Sequence, residues 1–211
     1  MVYIVLALEI ISLVSSYLQY DLLQTVANGG YLSESEAEAN DSREQIIGII
    51  YLVAYVISCI TFIMWFRRAY YNLHQRISTL SYSEGWAAGC WFVPIVNLYL
   101  PYQIMKELYV ETKELLSQKG LAEKVGYTTA YLEWWWILWI IDGVLEYVVF
   151  RFSPKIDELD LDGWLFITGI SIVSGITGII LALITIKVIK DYSNVEPVLF
   201  EIEENEIQTE E

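Results

Sequence analysis

Long runs of apolar residues with almost no charge restrict the fold of this chain more than any other feature. Four such runs cover residues 2–26, 45–66, 130–150 and 163–189. The hydrocarbon core of a bilayer is about 30 Å thick, and a helix needs roughly 20 apolar residues to cross it. Only 18% of the residues are charged, whereas about a quarter are charged in a typical soluble domain. The sequence therefore predicts an all-α fold, an integral membrane bundle of four transmembrane helices.

A further apolar stretch, at about residues 85–105, is interrupted by Pro94 and Pro101. Because proline lacks a backbone donor and breaks the helical hydrogen-bond ladder, this stretch is predicted to be a re-entrant or interfacial segment. Residues 102–119 are predicted to form an amphipathic helix on the cytoplasmic side. Pro101 suits the N-terminal edge of that helix, and Gly120 suits its C-terminal stop.

Basic residues set the predicted orientation, because cytoplasmic loops of membrane proteins carry an excess of Lys and Arg. Arg67, Arg68 and Arg76 follow the second run, whereas the preceding loop, residues 27–44, contains five acids and one Arg. A re-entrant segment at 85–105 keeps most of the remaining Lys on the same side as these arginines. Both termini are therefore expected in the cytoplasm, and the first run is expected to stay as an uncleaved signal anchor.

The negative charge of the chain restricts its partners. The net charge is −15, and nucleic-acid phosphates require Lys and Arg, so nucleic acid is excluded as a partner. A single membrane domain is predicted for residues 1–194, followed by an acidic cytoplasmic tail at residues 195–211. The expected partners are the lipid bilayer and, in an assembly, either another membrane protein or further copies of this chain.

Three motifs carry a family resemblance. WFRRAYYNL ends the second run at residues 65–73, and WWWILW lies at residues 134–139 in the third. The most specific motif, GWAAGCWFVPIVNLYLPYQIMKELY, covers residues 85–109. Its landmarks are Gly85, Trp86, Pro94, Asn97 and Pro101. Over roughly residues 45–190 the chain resembles the bacterial membrane family catalogued as domain of unknown function 4328. The resemblance implies a multi-pass protein of the bacterial inner (cytoplasmic) membrane and brings no activity or catalytic residue with it.

Three acids lie well inside apolar runs, away from the ends where Asp21 and Glu133 are found, although an ionised carboxylate costs roughly 3 kcal/mol or more at the membrane centre. Glu9 lies in the first run, and Asp142 and Glu146 lie four residues apart in the third, on one helical face. No Lys or Arg lies deep in any of the four runs. Two interpretations stay open. The acids form a path for protons or cations, or they are protonated or hydrogen-bonded groups that fix helix register.

Small residues form a stripe along the fourth run at alternating intervals of three and four. The stripe consists of Thr168, Ser171, Gly175, Gly178, Ala182 and Thr185. Small side chains let helix backbones approach closely in lipid, so the stripe is predicted to be a packing seam, within the chain or between protomers. Asn97, between the two prolines, either binds an ion or a polar substrate group or caps backbone groups that the prolines leave free.

Patterns typical of catalytic and metal sites are missing from the sequence. His74 is the only histidine, Cys59 and Cys90 are far apart, and no phosphate-binding glycine loop is present. No metal, cofactor or enzymatic activity is therefore expected. The preferred hypothesis is a non-enzymatic scaffold or regulatory subunit of a membrane assembly. The alternative is a small proton or cation transporter or channel that uses the intramembrane carboxylates.

Overall fold

The described parts of the chain are mainly helical, which confirms the predicted all-α class. The structure is a computed structural model that describes residues 1–121, 128–152 and 159–210, with side chains up to residue 200. These ranges contain no strand. The helices are α1 (Val2–Ala27), α2 (Glu34–His74), α3 (Glu84–Gly89), α4 (Leu100–Gln118), α5 (Ala130–Phe152) and α6 (Leu161–Glu210).

Three helices in the described part of the chain are long and apolar enough to cross a membrane, namely α1, α2 and α6 up to Phe200. They contain the first, second and fourth apolar runs. In α5, which contains the third run, any stretch of 18 residues includes Asp142, Glu146 and either Glu133 or Arg151. This helix therefore carries more charge than the apolar stretches of α1, α2 and α6. The lengths and compositions of these helices indicate association with a membrane.

The apolar face of α2 supports the same conclusion. Side chains such as Leu52 and Met64 are 61% and 66% exposed, and large contiguous apolar surfaces are rare on soluble monomers.

Helix α2 begins at a capping box, in which Ser33 and Glu36 exchange hydrogen bonds. The Ser33 amide donates to the Glu36 carboxylate over 2.9 Å, and the Glu36 amide donates to Ser33 Oγ over 3.3 Å.

The broken segment between α2 and α4 follows the proline positions. It consists of α3 and two single-turn 3-10 helices, Cys90–Phe92 and Val96–Leu98. Ile95 has a φ of 68°, a conformation that a β-branched residue rarely adopts. The predicted amphipathic helix at 102–119 corresponds to α4.

The bounds of α4, Leu100–Gln118, lie within two residues of the predicted ones. Pro101 lies in the first turn of α4. Gly120 has a φ of 71°, and its amide donates to the carbonyl of Ser117 over 3.0 Å. The Leu121 amide donates to the carbonyl of Leu116 over 2.8 Å. These two bonds form a Schellman motif, in which glycine supplies the left-handed residue.

Helix α6 extends well beyond the fourth apolar run, which ends at residue 189, and reaches Glu210. Tyr192, Val195 and Leu199 recur at helical spacing and are buried, so they continue the apolar face of the helix. Pro197 lies inside the helix without ending it. The domain boundary predicted at residue 194 therefore falls within a continuous helix.

The chain divides into two compact units. Unit 1 consists of Met1–Cys59 and Ile137–Leu183, which include α1 and parts of α2, α5 and α6. Unit 2 consists of Ile60–Trp136 and Ile184–Glu211, which include α3, α4 and the other parts of α2, α5 and α6. The core of unit 2 is formed by fully buried side chains from α2, α4 and α6. They include Phe66, Tyr70, Leu73, Ile104, Leu108, Leu116, Val188 and Tyr192.

Candidate functional site

Glu9 on α1 is a buried acid in unit 1, only 8% exposed. The hydroxyl of Tyr51 on α2 donates a hydrogen bond of 2.5 Å to Glu9 Oε1. The same carboxyl group lies against Gly178 on α6, where an added Cβ atom would approach Glu9 Oε1 to 2.7 Å. Gly178 therefore leaves the space that the Glu9 carboxyl group occupies.

Asp142 and Glu146 lie one turn apart on α5, in the same unit as Glu9. The hydroxyl of Ser174 on α6 donates a hydrogen bond of 2.6 Å to Glu146 Oε1. Both α5 carboxyl groups are close enough to Glu9 for their charges to interact. The three predicted acids are thus brought together, and we refer to Glu9, Asp142 and Glu146 as the carboxyl cluster.

All four long helices contribute to the surroundings of the carboxyl cluster. The acids come from α1 and α5, and the hydroxyl donors Tyr51 and Ser174 come from α2 and α6. Such an arrangement has two chemical capacities. Hydroxyl-to-carboxyl hydrogen bonds join neighbouring helices in an apolar medium, and neighbouring carboxyl groups can exchange a proton or share a cation.

A second polar group in unit 1 was not found from the sequence. Arg43 on α2 donates from Nε to Ser15 Oγ over 2.9 Å and from Nη2 to Asn40 Oδ1 over 2.6 Å. Ser15 is buried and donates in turn to Glu44 over 2.5 Å. Ser15 and Tyr51 could not be identified from the sequence, because no sequence pattern distinguishes a single hydroxyl residue in an apolar run.

The stripe of small residues on α6 is divided between the two units. Gly175 lies against α1, since an added Cβ atom would be 3.4 Å from the side chain of Leu13, and Gly178 lies against Glu9. Thr168 and Ala182 are buried, and Ser171 donates to the carbonyl of Ile167 in its own helix.

The last residue of the stripe, Thr185, belongs to unit 2. Its hydroxyl accepts a hydrogen bond of 3.1 Å from the indole of Trp135 on α5. The half of the stripe around Gly175 and Gly178 is therefore a seam between α1 and α6 inside one chain, while Thr185 joins α6 to α5.

Asn97 is half-buried in the second 3-10 helix. It belongs to unit 2, whereas the carboxyl cluster belongs to unit 1. Its backbone amide donates to the carbonyl of Val93 over 3.0 Å. The other motif landmarks also belong to unit 2: Gly85 and Trp86 lie in α3, Pro94 lies between the 3-10 helices, and Pro101 is buried in α4.

A hydrogen-bonded clasp in unit 2 holds the connection between α2 and α3 against α4. The Tyr70 hydroxyl donates to Glu107 Oε2 over 2.5 Å, and the Ser81 amide donates to Glu107 Oε1 over 2.8 Å. The Tyr82 carbonyl lies 2.8 Å from His74 Nε2. We refer to Tyr70, His74, Ser81, Tyr82 and Glu107 as the clasp. It includes one residue from each of the two motifs at residues 65–73 and 85–109, namely Tyr70 and Glu107.

The described residues contain no group of three His, Cys, Asp or Glu side chains arranged to hold a metal ion. The carboxyl cluster is not such a group. Its two hydrogen-bonded carboxyl groups are already engaged by hydroxyl donors.

The fold and the site together define a class of protein. It is helical and membrane-associated, and polar groups join its long helices. Residues 28–194 match the family described as Domain of unknown function (DUF4328), and the chain belongs to this family. Neither a curated protein nor a solved structure matches the chain.

Proposed function

We propose that this chain is a non-enzymatic, multi-pass scaffold or regulatory subunit of an assembly in the bacterial inner membrane. The observation that carries the proposal is that the hydrogen-bonded acids of the carboxyl cluster join helices. Glu9 accepts from Tyr51 on α2, and Glu146 accepts from Ser174 on α6. Hydrogen bonds between helices keep the helices in one arrangement. A bundle with one arrangement can present an unchanging surface for a partner protein to bind.

In this proposal α1, α2, α5 and α6 each cross the membrane, and both termini lie in the cytoplasm. The acids of α5 are compatible with a crossing because Asp142 and Glu146 belong to the carboxyl cluster instead of standing alone in lipid. The broken segment at 85–105 is proposed to enter the membrane interface. Phe92 and Ile95 in this segment are 75% and 76% exposed. Transfer of such apolar side chains from water into lipid is favourable.

The test is the composition of the native assembly. The protein is extracted from its own membranes in a mild detergent, captured, and weighed intact by native mass spectrometry. A stoichiometric second membrane protein is the expected result, because a scaffold or regulatory subunit has a partner. Recovery of this chain alone, or only as a homo-oligomer, would contradict the proposal.

A small proton or cation transporter is the second candidate, and the closeness of three carboxyl groups in unit 1 favours it. Asp142→Asn together with Glu146→Gln removes two ionisable groups with little change in shape. Under the scaffold proposal this double variant keeps its partner and shows no altered flux in liposomes. Proton or cation flux that the wild type supports and the double variant lacks would establish the transporter instead. Glu133→Gln, on the same helix, is the matched control.

A further inference from the structure

One side of α2 changes from apolar to basic where the second run ends, and this side lines a cavity of about 390 Å³. Met64, Arg67, Arg68 and Tyr71 recur at spacings of three and four residues, so they share one face of α2. Glu84 from α3 completes the lining. The whole cavity belongs to unit 2 and contains no residue of the carboxyl cluster or the clasp.

The charges around the cavity favour an anion. Two guanidinium groups face one carboxylate, and the ion pair between Arg67 and Glu84 is long, at 3.8 Å. Both partners are substantially exposed, with side chains at 58% and 40%, and exposed pairs of this kind are weak. Within the described parts of the chain, no carboxylate lies within ion-pair distance of Arg68. An arriving anion therefore finds one guanidinium that no described carboxylate engages and another that is weakly held.

The cavity also has an apolar end. Met64 is 66% exposed and precedes the arginines by one turn, on the side of the long apolar run. Tyr71, one turn beyond the arginines, carries a hydroxyl that can donate a hydrogen bond. The order along the helix is therefore apolar, basic and polar, which is the order of acyl chain, phosphate and headgroup in a phospholipid.

We propose that this cavity binds an anionic phospholipid, with its phosphate diester between Arg67 and Arg68 and an acyl chain along Met64. Guanidinium groups are well suited to phosphate because their planar donors can engage two oxygens at once. Glu84 opposes binding by competing for Arg67 and by repelling the negative headgroup. The site requires the second run to cross the membrane, but it is independent of whether the chain is a scaffold or a transporter.

The test uses the full-length protein in a mild detergent and counts lipid adducts by native mass spectrometry. Phosphatidylglycerol is the anionic probe, phosphatidylethanolamine is the zwitterionic comparison, and inorganic phosphate is titrated separately. We expect one phosphatidylglycerol to bind ahead of all others and in preference to phosphatidylethanolamine. Arg67→Gln with Arg68→Gln should weaken that first binding event about thirtyfold, given the contribution of each basic residue near an anionic lipid. Glu84→Gln should strengthen it.

The control is Lys106→Gln with Lys113→Gln, which removes the same amount of positive charge from α4. This control should keep the preference for phosphatidylglycerol, while circular dichroism verifies that each variant is folded. Three outcomes would overturn the proposal. In the first, the wild type binds phosphatidylglycerol and phosphatidylethanolamine equally. In the second, the lysine variant weakens lipid binding as much as the arginine variant does. In the third, inorganic phosphate binds with the same dependence on Arg67 and Arg68 and displaces no lipid.

Discussion

At the scale of single residues, the absence of a side chain at Gly178 leaves room for the carboxyl group of Glu9. The Glu9 carboxyl group fills the place where a side chain at position 178 would begin. Its other neighbour is the Tyr51 hydroxyl, which limits where the carboxyl group can move. Small residues in membrane helices are usually explained by close backbone approach, but here the space serves a polar side chain.

We predict that Gly178→Ala destabilises the protein by about 1 kcal/mol relative to Gly169→Ala, because the Glu9 carboxyl group must move and its hydrogen bond to Tyr51 is weakened. The new methyl group would meet Glu9 Oε1 at 2.7 Å. Unfolding of the purified protein in mixtures of mild detergent and SDS measures the change. In a Glu9→Ala background the same substitution should cost little, because the clashing group is then absent.

Gly169→Ala is the matched control for that prediction. Gly169 lies on the same helix, and an added Cβ atom there would have no neighbour within 4 Å. Alanine is the better helix former by about 1 kcal/mol, so this control should be neutral or stabilising. Equal destabilisation by the two substitutions would refute a specific role for the space at Gly178.

Tyr51→Phe tests the hydrogen bond to Glu9 directly. The substitution leaves the ring and removes the hydroxyl that donates to the buried carboxyl group over 2.5 Å. We expect a loss of about 1 kcal/mol, the size of an interhelical hydrogen bond in a membrane, in the same unfolding experiment. Tyr147→Phe changes an exposed tyrosine of α5 and should have no effect; a comparable loss there would argue against the assignment.

At the scale of elements, α4 is held to α2 through Glu107. One carboxylate accepts from the Tyr70 hydroxyl and from the Ser81 amide, so it fixes both the end of α2 and the connection that follows. The hydrophobic contacts of Ile104 and Leu108 position α4 in the core of unit 2. The clasp then determines the path of the chain between α2 and α3.

We predict that Glu107→Ala loosens this connection. The Ser81 amide would lose its acceptor, and the Tyr70 hydroxyl would keep only its longer bond of 3.2 Å to the Tyr82 carbonyl, so two hydrogen bonds worth about 1 kcal/mol each are lost. The observable consequence is faster cleavage by trypsin after Arg76, followed by mass spectrometry of the fragments. Glu111→Ala, one turn further along α4, should leave the cleavage rate unchanged. Equal rates for wild type and Glu107→Ala would show that the clasp does not restrain this connection.

At the scale of the whole molecule, the proposed topology predicts which sites a membrane-impermeant maleimide can reach. In a background that lacks Cys59 and Cys90, Tyr31→Cys should be labelled in intact cells, because the loop between α1 and α2 is proposed to lie outside. Lys113→Cys should be labelled only after the membrane is permeabilised. Labelling of position 113 in intact cells would mean that residues 85–105 cross the membrane completely, and the proposed orientation would then be wrong.

Much of the fold could be predicted from the sequence, because it depends on local physical chemistry. Apolar runs of bilayer length predict helices, Pro101 suits a helix start, and Gly120 suits a helix stop; the bounds of α4 agree with these signals. The helix that continues through Pro197 was not predicted. Burial of Tyr192 and Val195 in unit 2 stabilises it, and packing of this kind is a tertiary effect.

By itself, the sequence determined the helical class, the association with a membrane and the presence of costly acids in apolar helices, since each follows from composition and spacing along one chain. Only the tertiary structure decided which helices supply the hydrogen-bond donors for Glu9 and Glu146. Tyr51 and Ser174 are distant in sequence from Glu9 and Glu146, and a hydrogen bond requires its two atoms to meet within about 3 Å. Contacts of that kind depend on how the helices pack, and spacing along the sequence does not specify it.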